Sequence, residues 1–216
     1  MSFFSDLQAQ LDALRALVGD VEAVAVPGAV SRLGDDEVVA VISTVSALAQ
    51  ACESLRIAAS GVVAARSTRE AGHSGLAQKR GHRSPASLVQ ELTGSTRADA
   101  VKQVRLGEAL STSHGDGVDG AGEGVDATEG SVVVGRPWHA PLSDALLGGS
   151  ITAAQHDAIL RGLGGPPAPD ADGADSVDVV DDAADRARAA EQLREVWAVA
   201  AGELVVEAPH RTAEEL

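Results

Sequence analysis

The chain has 216 residues, 44% apolar but only 2% aromatic, with no tyrosine and a formal net charge of −15. That length can bury a real core, but the packing must come from Ala, Val and Leu, and base-stacking RNP- or OB-type modules, which want surface aromatics, lose weight. A single cysteine, Cys52, excludes an internal disulfide framework and any multi-cysteine zinc site.

In chain order, Phe3 to Val18 reads as a first helix, with Phe4, Leu7, Leu11, Leu14 and Val18 on one face and Gly19 ending it. An early acid and the absence of a basic leader argue against a signal peptide. Val21 to Leu33, containing Pro27 and Gly28, is a connector.

The chain is organised around Asp35 to Arg69, read as one long amphipathic helix of roughly 50 Å. Val38, Ile42, Val45, Ala49, Cys52, Ala59 and Val63 recur at steps of three and four, and the other helices are expected to cover this seam. Cys52 is thereby read as a buried small apolar residue. Gly34 or Asp35 caps the start, and acids fill the first turn. Arg66 and Arg69 suit the negative end, and Gly72 offers a left-handed stop. Gly61, after Ser60, is costly inside a helix and points to a close backbone approach, read as support for pairing with a second copy. No run approaches the ~20 uncharged apolar residues of a membrane span, so a cytoplasmic protein with no membrane partner is expected.

The stretch from His73 to Arg83 is too rich in glycine and cations to predict a helix. Ser84-Pro85 is a strong helix start, and the short helix it opens stops at Gly94. Ser95 is expected to cap the next helix, which runs to about Leu110. The pair has a helix-turn-helix outline. On its second helix Ala98, Lys102, Arg105 and Ala109 share one stripe, while Arg97, in the first turn, points elsewhere. Between Arg66 and Arg105 eight Lys/Arg face three acids, a local +5 that leaves −20 for the rest of the chain. Phosphates are met with Lys and Arg, so Lys79, Arg80, Arg83, Arg97, Lys102 and Arg105 are the candidate nucleic-acid contacts, with double-stranded DNA as the partner.

Residues 111–136 form an acidic, Gly-rich insert that cannot bury enough surface to order itself. By opposite charge it is a candidate pseudo-substrate over the basic island. Order returns at Pro137-Trp138 with a short hairpin (137–165): Pro141 to Leu147, then a helix opened by a Thr152/Gln155 capping box and running to about Leu163. A second acidic linker (166–181) precedes a C-terminal helix (182–216), whose Ala190, Leu193, Trp197, Ala200 and Leu204 share a face. Trp197 is expected to dock on the long helix. Thr212 to Glu215 is one more capping box, which reads as the opening of a further helix and of a longer protein.

Four stretches now carry a resemblance: VVAARSTREAG at the end of the long helix, SPASLVQELTGSTRADAVKQVRLGEAL, PLSDALLGGSITAAQHDAI and ELVVEAPHRTAEEL. They resemble the actinobacterial domain of unknown function found N-terminal to HNH-type endonuclease domains, known from mycobacterial repeat-family proteins. The chain departs from it at Ser87-Leu88, where the family usually has Trp–Leu, and in the insert from Ser111 to Gly135. The resemblance implies an all-α module with any nuclease domain C-terminal to it, and carries over no catalytic residue.

An HNH site needs a His base with further His, Asn or Asp ligands around one divalent ion. Six scattered histidines and no asparagine do not supply it, and neither a G-x-S-x-G elbow nor a Walker A motif occurs. No cofactor or metal is expected. The sequence therefore predicts an all-α, multi-helix bundle on one long central helix (1–110 as its first domain), a non-catalytic, DNA-associated module of an HNH-endonuclease-like protein. The alternative is a helical scaffold or homodimerisation domain with no nucleic-acid role; a nuclease domain is the remaining candidate partner.

Overall fold

A computed structural model describes residues 2–113, 137–167 and 181–216, and among them all regular structure is helical. Most of the two acidic segments, and with them the pseudo-substrate expectation, lies outside the described residues. The fold is an all-α bundle. In chain order its helices are α1 (Phe3–Val18), α2 (Val26–Val30), α3 (Asp35–Ala65), α4 (Leu76–Lys79), α5 (Pro85–Thr93), α6 (Arg97–Ser113), α7 (Ala140–Leu147), α8 (Ala153–Leu163) and α9 (Asp181–Glu207). The expected connector at 21–33 thus holds a short helix, as does the glycine-rich stretch before Arg83.

Helix boundaries follow local chemistry. The α3 start is tied by Glu37, whose carboxylate accepts from the Gly34 amide at 2.8 Å. The helix ends at Ala65, short of the expected Arg69, because the chain folds back: the Leu76 amide donates to the Arg66 carbonyl at 2.8 Å, and the Ala77 amide to Ser67 Oγ at 3.0 Å. Its length is 31 residues, about 46 Å. Ser84 caps α5 through the Ser87 amide at 3.2 Å, and Gly94 closes it at φ 64°. The α6 cap is Thr96 rather than Ser95: its Oγ1 accepts from the Asp99 amide at 3.2 Å and donates to Asp99 Oδ2 at 2.7 Å.

The α3 helix buries two different faces along its length. Its N-terminal half leans on α1, and its C-terminal half buries Ser54, Ile57, Ser60, Gly61 and Ala64 against α5, α6 and α7. Ile57 joins Leu106, Leu110, Leu142, Leu146, Ile151 and Ile159 in the main core. Ser54 Oγ donates to the Leu146 carbonyl at 2.8 Å, satisfying the last turn of α7. A second cluster of Ala64, Val89, Ala100 and Val104 sits between α3, α5 and α6.

The expected seam is not the buried one. Ile42 is 62% exposed and Val45 47%, and Ala49, Cys52 and Ala59 are not part of the core either. The seam lies between the two faces that neighbours cover, so Cys52 is not a core residue. On α1 the same kind of error occurs: Phe4 is 68% exposed, and Phe3, Leu7, Gln10 and Leu14 turn toward the bundle. Gly61 meets its close approach inside the chain, against Gly107 of α6, so the glycine no longer speaks for a second copy.

The last third closes on itself. Helix α9 packs on α7 and α8, and Trp197 docks at the end of α8 instead of on the long helix, its Nε1 donating to the Leu163 carbonyl at 3.4 Å. Of the Thr212/Glu215 box one half is present: the Thr212 amide donates to Glu215 Oε2 at 2.7 Å, whereas the Glu215 amide donates to the Thr212 carbonyl and the segment is a turn. The α3 helix is also long and apolar enough to cross a membrane by length and composition, with a mean hydropathy of 1.6 over 18 residues, though its longest uncharged run is the 15 residues Val38 to Cys52.

Candidate nucleic-acid interface

The six cations chosen from sequence fall in three places. Lys79, Arg80 and Arg83 lie on the turn from α4 into α5. Arg97 and Arg105 are both exposed on the outer side of α6, eight residues and about 80° of helical rotation apart, with exposed Val101 between them. None of these five arginines and lysines makes an ion pair or hydrogen bond among the described residues. Lys102 is different. Its Nζ lies 3.1 Å from Asp157 Oδ2 of α8, so this cation is spent on joining two helices.

Why α6 presents these residues follows from what it buries. Ala100, Gln103, Val104, Leu106, Gly107 and Leu110 face α3, α5 and α7, leaving the opposite side to Arg97, Ala98, Val101 and Arg105. The expected stripe of Ala98, Lys102, Arg105 and Ala109 is real, and it forms one wall of a groove of about 490 Å³ whose other wall is Leu160 and Arg161 of α8. Asp157 sits between the cations: Arg161 Nη2 is 3.2 Å from the same Oδ2 that Lys102 approaches. Three cations and one carboxylate line this groove, so the local balance favours an anion. Asp99, the acid of the α6 first turn, is occupied by Thr96.

Arg161 and Asp157 escaped the sequence reading. Their i, i+4 spacing on α8 was legible, but their place opposite Lys102 depends on how α8 packs. A second groove, about 570 Å³, opens between α3, the start of α6 and the start of α8, with Arg56, Gln103 and Thr152 among its lining residues. Gln103 is 8% exposed, and its Oε1 has no hydrogen-bond partner.

Next to Asp157 lies His156, fully buried, with neither ring nitrogen hydrogen-bonded. Desolvation lowers its pKa to about 4, helped by the nearby His139 and Lys102 and opposed by Asp157. Burial lowers His139 as well. Two neutral imidazoles without a third ligand do not make a metal centre, and the described residues contain no group of three or more His, Cys, Asp or Glu able to hold an ion. Elsewhere, His82 Nε2 faces Glu91 at 3.4 Å.

Comparison with protein-family models, curated proteins and solved structures gives no match to this chain.

Proposed function

We propose that this chain is a non-catalytic helical module that contacts double-stranded DNA through the outer side of α6. The observation that carries the reading is the outer side of α6 from Arg97 to Arg105: two cations about two turns apart, exposed and without an acidic partner among the described residues. Arg161, across the groove, adds a third charge. Lys79, Arg80 and Arg83, at the turn into α5, are further exposed cations that a polyanion could meet. Small Ala98 and Ala109 beside the cations permit close approach of a phosphate backbone. Such contacts position a protein on DNA and carry no base code by themselves. By its sequence resemblance, the module would work beside an HNH-type nuclease domain.

The test is fluorescence anisotropy of a labelled duplex of roughly 30 base pairs, titrated at several salt concentrations. Affinity is expected to fall linearly in log salt and to be lost on Arg97→Glu with Arg105→Glu. No binding near ~50 mM salt would remove the reading. A second reading, a helical scaffold with no nucleic-acid role, is favoured by the uncovered outer face of α3. A mass that rises with concentration, with no anisotropy response, would single it out.

A further inference from the structure

We infer that the outer face of α3 pairs antiparallel with α3 of a second copy of this chain, centred on residue 47. The inference rests on the scaffold reading of α3 and is independent of any DNA contact. Val38, Ile42, Val45, Ala49, Cys52, Arg56, Ala59 and Val63 alternate steps of four and three, the heptad spacing at which helices supercoil. In a monomer the seam is covered only in part: Val63 packs against the second cluster, and Ala49 and Arg56 edge the groove between α3, α6 and α8, while Ile42, Val45, Cys52 and Ala59 stay exposed. Ile42 is 62% exposed, Val45 47%, and the flanking Val39, Leu55 and Val62 are 66%, 48% and 44% exposed. Large apolar side chains left this exposed along one helix are the kind of surface that interaction sites use.

Charge and size choose the partner and its direction. In an antiparallel pair centred on residue 47, Val45 faces Ala49 of the second copy and Ile42 faces its Cys52, so a large side chain meets a small one at each central layer. The same register sets Arg56 opposite Val38 and beside Asp35, Asp36 and Glu37 of the second copy, the acidic first turn of α3. Arg56 is held by Glu53 at 3.0 Å, both side chains well exposed, a pairing weak enough to exchange. A parallel, in-register pair would stack Arg56 on Arg56 and Ala49 on Ala49, placing like charges together and leaving a gap. The overlap, residues 35–59, spans about 36 Å along one side of a helix. That is a small interface against the roughly 800 Å² per partner of stable complexes, so the dimer should depend on concentration.

The register can be read by cross-linking the full chain under mild oxidation. In the antiparallel pair the two Cys52 residues are about 15 Å apart along the axis, too far for a disulfide. The Ile42→Cys variant puts a thiol opposite Cys52 of the second copy, and its exposure makes the change harmless to the core. Ile42→Cys is expected to give a covalent dimer, whereas the unaltered chain and Ile42→Cys with Cys52→Ser give none. In light scattering the mass should rise from 21.8 kDa toward twice that, and Val45→Glu should abolish the rise. Efficient cross-linking of the unaltered chain overturns the antiparallel register. A dimeric mass without the Ile42→Cys cross-link overturns the register but keeps the scaffold reading. A constant monomer mass overturns both.

Discussion

Gly61 of α3 and Gly107 of α6 touch backbone to backbone. A Cβ built on Gly61 would lie 2.9 Å from Gly107 Cα, and one on Gly107 would lie 2.7 Å from Gly61 Cα, with carbonyl and amide atoms nearer still. The two helices therefore cross where neither residue carries a side chain, and neither backbone can give way as a side chain would.

Gly61→Ala and Gly107→Ala should each lower stability by at least about 3 kcal/mol, the upper range for an overpacked core, despite the better helix propensity of alanine. Chemical denaturation with circular dichroism measures this. Unchanged midpoints would mean the helices are farther apart.

The neutral, unpartnered His156 makes the fold acid-sensitive. The folded state keeps it unprotonated until about pH 4, while the unfolded chain takes up the proton near pH 6.5. Between those values the unfolded state binds more protons, so stability falls as the pH drops through the window, by roughly 3 kcal/mol in all. His156→Leu should flatten that dependence and hold or raise stability at pH 7, since no hydrogen bond is lost. A thermal melt series from pH 7.5 to 4 checks it.

Gln155 locks the C-terminal turn onto α8. Its Oε1 accepts from the Thr152 amide at 2.8 Å, and its Nε2 donates to the carbonyls of Ala208 at 2.7 Å and Arg211 at 3.0 Å. Gln155→Glu keeps the cap but removes both donations. It should cost about 2 kcal/mol and speed amide hydrogen exchange after residue 207, a signal that a simple loss of cap would not give.

Asp157 holds down the charge of the α6–α8 groove. If α6 contacts DNA, Asp157→Asn releases Lys102 and Arg161 at little cost in stability, because the ion pairs are partly exposed. Affinity should rise several-fold, and the log-salt slope should steepen by about one for each further phosphate that the freed cations neutralise. A duplex titration that shows weaker binding would place Asp157 in a structural role instead.

Much of what lies within about one helical turn was legible in the sequence, though the α6 cap and the end of α3 were each misplaced by one to four residues. Ser84 ahead of Pro85, Thr152 with Gln155, and Gly94 set their helix ends as expected, because each signal lies within a few residues of the end it makes. The tertiary structure decided which sides those helices bury. The α3 helix is apolar on nearly every side, so periodicity could not choose between the heptad seam at Val45 and the packed face at Ile57; only α1, α6 and α7 make that choice. The pairing of Lys102 with Asp157 and the crossing at Gly61 and Gly107 are of the same kind. Each joins residues more than forty positions apart, and such a contact exists only once packing has fixed where each helix lies.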